Sequence, residues 1–260
     1  MTIRPAQRFD PTLKPHLVNG GRVEETEAGW RMILPPCAPD AYSDAQLDDY
    51  DHGQPRAFVN HPPRALRVRA RFSHDRGALK GTAGFGFWNH PFSREGDVIA
   101  PPRNLWFFFG SQESDLRVVP GVAGHGFKAA LLNTPPLPVS AGGRAGPLTR
   151  MVNRAANLAL RARPLARLAM AAGRRLVHAR ERLLDEPVPD LRDWHEYEID
   201  WTASRAVLRV DGRVVLDAPR PPPGPLGFVA WIDNYRATAA DGQYAWGTVE
   251  THETQWLEVA

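Results

Sequence analysis

Cysteine is almost missing from this chain. Cys37 is the only one, so no internal disulfide can form and a zinc site built on several thiolates is excluded. No apolar run approaches the ~18 residues of a membrane span. The first residues, MTIRPAQRFDPTLKPHL, lack the apolar stretch of a secretory signal, and the expectation is a cytoplasmic protein. Lysine is scarce: Lys14, Lys80 and Lys128 stand against 29 arginines. Aromatic residues are missing from one long stretch, Lys128 to Asp193, although they are dense on both sides of it. There is no HExxH, no Gly-rich phosphate loop, no Gly-x-Ser-x-Gly and no cluster of metal ligands, so no metal or cofactor is expected.

What is present is an ordinary globular composition, 43 % hydrophobic and 23 % charged, with an uneven charge. Residues 144–186 hold ten arginines against Glu181, Asp185 and Glu186, a net of +7 that leaves −4 for the rest. A nucleic-acid-binding domain would be basic throughout, and none is expected. The basic segment has helical spacing. Leu148, Val152, Ala155 and Ala159 share one face, and Leu165, Leu168, Ala172, Leu176, Ala179 and Leu183 repeat the pattern after Pro164. The spacing predicts two amphipathic helices over 147–162 and 164–185. They would form an inserted hairpin whose arginine face is available to an acidic partner. Residues 1–143 and 187–260 would then make a single β domain.

That domain reads as strands. In 65–74, Leu66, Val68, Ala70 and Phe72 alternate with Arg67, Arg69 and Arg71, the signature of a strand with one buried face. GTAGFGFWNHPF (81–92) is a second strand, with glycines that admit a close neighbour. NLWFFFG (104–110) is a third. HEYEIDWT (195–202) alternates again, and RAVLRVDGRVVLD (205–217) is a hairpin turning at Asp211-Gly212. Segments 225–235, 254–260, 29–36 and 21–26 bring the count to roughly ten or more, which argues an all-β sandwich.

The stretch DWHEYEIDWTASRAVLRVDGRVVLD (193–217) resembles glycoside hydrolase family 16 and the wider concanavalin A-like lectin and glucanase group. An aromatic-His, a Tyr, an acidic-x-Trp and a Val-Asp-Gly hairpin follow in that family's order. The resemblance covers 65–127 and 193–260. It implies a two-sheet antiparallel jelly roll with a glycan-binding groove on its concave sheet. Family members that cleave glycans carry Glu-x-Asp-x-(x)-Glu on the strand after the Gly/Trp strand. Here that strand is LWFFFG, and neither of its faces has a carboxylate. The expectation is a jelly-roll protein that binds a glycan or a more apolar ligand in its groove without glycosidase activity. The alternative is a divergent enzyme, either a glycosidase or a non-hydrolytic enzyme acting on an apolar substrate.

Candidate residues follow from these readings. Trp88, Asn89 and His90 end one strand, and Trp231, Asp233 and Asn234 end another. Both groups combine a flat aromatic ring with the hydrogen-bonding groups that sugars need. Trp106 and Phe108 form one face of the aromatic strand. Glu113 and Asp115 are the candidate acid and base. Glu95-Gly96-Asp97 matches two of the three family carboxylates, but it lies in a proline-flanked stretch.

Overall fold

The structure is a computed structural model. It describes residues 13–52, 56–91, 100, 102–134, 178–240 and 243–260. Sixteen strands run through them: β1 (Lys14–Val18), β2 (Arg22–Glu25), β3 (Trp30–Leu34), β4 (Asp44–Asp48), β5 (Arg64–Phe72), β6 (Thr82–Trp88), β7 (Arg103–Gly110), β8 (Gly126–Asn133), β9 (His178–Leu183), β10 (His195–Trp201), β11 (Arg205–Val210), β12 (Arg213–Pro219), β13 (Gly227–Asp233), β14 (Tyr235–Ala240), β15 (Gln243–Thr248) and β16 (Gln255–Val259). The described residues contain no helix.

Two seven-stranded antiparallel sheets pack face to face. One runs β1-β4-β13-β6-β7-β8-β9 and the other β12-β11-β10-β5-β16-β3-β2, while β14 and β15 pair as a separate hairpin. The side-chain period of two decides what each strand contributes. Phe85 and Phe87 of β6 and Leu105, Phe107 and Phe109 of β7 point inward. They meet Val68, Ala70 and Phe72 of β5 and Tyr197, Ile199 and Trp201 of β10 in one core. Tyr197 fits edge-on against Phe85 at 5.0 Å and Phe107 at 4.9 Å between ring centroids. Trp201 donates its indole N–H to the Pro222 carbonyl at 3.0 Å, so the largest core side chain leaves no buried donor unpaired. The turn expected at Asp211-Gly212 is present, with φ of 48° and 75° at its two residues, and the Asp211 carboxylate caps it by accepting from the Glu196 amide at 2.9 Å.

The structure corrects one sequence reading. The second helix was expected to run to residue 185, but 178–183 form strand β9, paired in register with β8 from Asn133↔His178 to Lys128↔Leu183. Leu176, Ala179 and Leu183 do fall at helical spacing. The free edge of β8 nevertheless offers a full row of hydrogen-bond partners, and a six-residue segment has too few local bonds to compete with them. The rest of the expected hairpin, 144–177, lies outside the described residues, as do Glu95 and Asp97. No helix among the described residues is long and apolar enough to cross a membrane.

Candidate functional site

The outward face of the β1-to-β9 sheet is where aromatic side chains gather away from the core. On β7 the residues between the core positions are Asn104, Trp106, Phe108 and Gly110. Trp106 and Phe108 form a second cluster with Trp88, Trp231, Tyr50, Phe58 and Val229. The LWFFF run is therefore divided: Leu105, Phe107 and Phe109 are core, and Trp106 and Phe108 line the outer face, half-buried.

Two glycines make this arrangement possible. Gly84 pairs with Phe108 on one side and Trp231 on the other, and Gly86 pairs with Trp106 and Val229. With no side chains between them, the flanking rings meet over β6. Trp106 and Trp231 lie 5.1 Å apart between centroids, and Phe108 and Trp231 lie 6.1 Å apart. Trp88 is nearly parallel to Trp231, at 6.4 Å and 6°. A methyl group on Gly84 would come within 2.9 Å of the Trp231 ring and 2.3 Å of the Phe107 carbonyl oxygen. On Gly86, whose φ is +148°, it would stand 2.5 Å from Trp106 Cβ. Gly86→Ala is expected to destabilise the fold by about 1–3 kcal/mol, the range for overpacking, and to shift the tryptophan emission. Urea unfolding and fluorescence check this; an unchanged midpoint and spectrum would show that the rings do not depend on the glycine.

Polar groups border the rings on the β4 and β13 side. Strand β4 reads Asp44-Ala45-Gln46-Leu47-Asp48. Ala45 and Leu47 enter the core, so Asp44, Gln46 and Asp48 share the outer face. Asp48 accepts from Gln46 Nε2 at 2.7 Å and from the Tyr50 amide at 3.2 Å, and it is bonded to His52 Nε2 at 2.8 Å. Tyr50 Oη accepts the Trp88 indole N–H at 2.7 Å. His52 stacks on His16 at 3.9 Å. His90 stacks on Trp88 at 4.7 Å, and its backbone carbonyl accepts from Arg56 at 2.9 Å. Burial, then Arg56, His52 and His16, lower the His90 pKa to about 2, so this ring is neutral at physiological pH.

Asp44 and Asp233 face each other across β4 and β13. Asp233 accepts from Thr82 Oγ1 at 2.7 Å and from the Thr82 and Tyr235 amides at 3.2 and 3.0 Å. Thr82 Oγ1 in turn accepts the Trp231 indole N–H at 3.1 Å. Asp44 Oδ1 is buried with no hydrogen-bond partner. Burial raises both carboxyl pKa values. Asp44 is raised further by Asp233 and Asp48, while the donors around Asp233 pull that group back. The two facing carboxyls therefore both hold a proton more tightly than free carboxyls do, and they titrate as a pair.

The residues singled out from sequence divide as follows. Trp88, His90, Trp106, Phe108, Trp231 and Asp233 come together. Asn89 ties β6 to β7 by accepting the Arg103 amide at 2.8 Å. Asn234 is wholly buried, accepting from the Ser43 amide at 2.9 Å and donating to the Ala41 and Val249 carbonyls at 2.8 and 3.1 Å. Glu113 lies in the loop after β7, in an ion pair with Lys80 at 2.5 Å. Burial pushes its carboxyl up, but hydrogen bonds from Lys80 and Ser111 outweigh this and hold it below the usual range. Asp115 pairs with Arg117 at 2.8 Å, and that hydrogen bond lowers it. Asp44, Gln46, Asp48, Tyr50 and His52 were not foreseen. Among the described residues no group of three or more His, Cys, Asp or Glu is placed to hold a metal ion.

No protein-family model matches the chain, and no curated protein matches it in sequence. Solved structures resemble it distantly. A Crh5 transglycosylase in complex with NAG is 10 % identical, with a TM-score of 0.43, over 95 % of this chain and 75 % of that one. The catalytic domain of an endo-1,3-beta-glucanase (laminarinase) from Thermotoga petrophila is 12 % identical, with a TM-score of 0.41, over 97 % and 90 %. A glycoside hydrolase family 16 protein of a Bacteroides ovatus mixed-linkage glucan locus is 8 % identical, with a TM-score of 0.43, over 97 % of both chains. The chemistry of the outward face therefore has to be read from its own residues.

Proposed function

We propose that this protein binds a glycan, or another ligand with flat apolar faces, on the outward side of the β1-to-β9 sheet, and that it does not cleave it. The observation that carries this reading is the half-exposed group Trp88, Trp106 and Phe108, packed round Trp231 and bordered by hydrogen-bonding side chains. Sugar rings have apolar C–H faces that stack on such surfaces, while their hydroxyl rims need donors and acceptors at the side. His90 and Gln46 supply donors and acceptors, and Asp48 and Asp233 supply acceptors. The outward residues of β7, Asn104, Trp106, Phe108 and Gly110, include no carboxyl group that could cleave the ligand. Glu113 and Asp115 are both held ionised by a neighbouring cation and so offer no protonated acid.

A second reading, a divergent glycosidase, has one observation in its favour. Asp44 and Asp48 stand at i and i+4 on one face of β4, and burial raises the Asp44 carboxyl pKa. One experiment separates the two. The protein is titrated with laminarin and mixed-linkage glucan while tryptophan emission and new reducing ends are both followed. Saturable quenching without reducing ends is expected, with quenching lost in Trp106→Ala. Turnover that disappears in Asp44→Asn or Glu113→Gln would replace the binding reading with the hydrolytic one.

A further inference from the structure

The border of the aromatic face is acidic on one side. Asp44, Asp48 and Asp233 stand on the same face of neighbouring strands, and each is at most 7 % exposed. The cations described near this face are each bonded to a neighbour, and Arg56 stands close enough to lower the His90 pKa. Lys14 pairs with Asp51 at 2.8 Å, and Arg56 donates to the His90 carbonyl. Lys128 of β8 stands opposite Phe108 on the same outward face, but it is buried and paired with Glu181 of β9 at 3.8 Å. His52 is the one side chain bonded to Asp48 that can carry positive charge. Asp44, 3 % exposed, has an oxygen with no partner at all.

Two independent features of this face attract the same chemistry. Indole faces carry negative quadrupole charge and favour a cation within about 6 Å of the ring. Carboxylates set in a wall of low polarity project their field over the surface beside them. An acidic ligand such as a uronate would meet repulsion from both. We infer that the ligand seated on Trp88, Trp106 and Trp231 carries a protonated amine or a quaternary ammonium group, held between the indole faces and the Asp44–Asp48–Asp233 border. This rests on the binding reading above and names its ligand class: an amino sugar or other organic ammonium compound. Burial raises the carboxyl pKa of both Asp44 and Asp233, which adds a pH signature. An arriving ammonium favours the ionised pair, so a quaternary ammonium binds more tightly as pH rises.

The test uses the full chain and three probes followed by tryptophan fluorescence: the glucosamine tetramer, its N-acetylated counterpart and choline chloride, the last against sodium chloride at equal ionic strength. At pH 6 the glucosamine tetramer is expected to bind about tenfold more tightly than the acetylated one, equivalent to about 1.4 kcal/mol. Choline is expected to quench saturably, with affinity rising from pH 5 to pH 8, and this rise is expected to vanish in Asp44→Asn. Equal or tighter binding of the acetylated tetramer would overturn the inference and leave the binding reading intact. Choline binding without either tetramer would support the inference and remove the glycan from the reading. No binding of any probe would sink both. Trp106→Phe, which keeps a ring, serves as a second variant and is expected to weaken choline several-fold.

Discussion

Replacing Phe107 with alanine is expected to lower the stability of the fold by about 3–5 kcal/mol, the range for emptying a buried phenylalanine site. Phe107 is wholly buried and packs against Phe85, at 5.6 Å, and Tyr197, at 4.9 Å. Its neighbour Phe108 is the instructive control. That ring stacks on Trp106 at 5.5 Å on the outer face and is half-buried. Phe108→Ala is expected to cost about 1–2 kcal/mol, because only part of the ring's area leaves water on folding, and to weaken ligand binding. Urea unfolding of the two variants, with binding measured in parallel, reads the division of β7 directly. Equal losses would mean that both faces of β7 are covered in the folded protein, and the aromatic face would then not be available to a ligand.

The second large effect is expected from pH. A carboxyl group whose pKa is raised by folding binds its proton more tightly in the folded than in the unfolded chain. Stability from such a group is fully present below the unfolded carboxylate pKa of about 3.9 and is lost as pH rises through the folded value. Asp44, buried against Asp233 and Asp48, is raised in this way. Above pH 4 the wild-type protein is therefore expected to lose stability with rising pH, by up to about 1.4 kcal/mol for each pH unit over which the folded Asp44–Asp233 pair retains a proton that the unfolded chain has lost. Asp44→Asn removes the titrating group and the repulsion with Asp233 while keeping the shape. This variant is expected to melt higher than wild type at pH 8 and to show a shallower fall between pH 4.5 and 8. Parallel pH profiles for the two proteins would show that Asp44 is ionised in the folded state.

The strands legible in the sequence were those with a strong period of two or a turn signal. Residues 65–72 alternate arginine with apolar residues along their whole length, and Asp211-Gly212 marks its own hairpin; both are present. Strand β4 was missed because five residues with two apolar positions are too short to announce a strand, and its outward Asp-Gln-Asp looks like loop chemistry. Missing β4 meant missing Asp44, Gln46, Asp48 and the neighbouring Tyr50 and His52. Only the pairing of β4 with β13 brings them beside Trp231, and that pairing joins residues far apart in the chain. Strand β9 failed for the opposite reason: a helical period was present locally, and the free edge of β8 overrode it. The division of the LWFFF run could be foreseen as alternation, but which half faces outward depends on the neighbouring Gly84 and Gly86, across β6.

Asn133 at the end of β8 and His178 at the start of β9 lie directly opposite each other in register. The two ends that the intervening sequence has to join therefore lie side by side. The entropy of closing a loop between such ends grows only with the logarithm of loop length, by about 0.6 kcal/mol per doubling. Lineages of this protein could therefore lengthen, shorten or exchange that segment with little penalty to the sheets. The β8–β9 edge is a place where evolution can try new parts without breaking the pairing of β7 with β6 that sets the aromatic face.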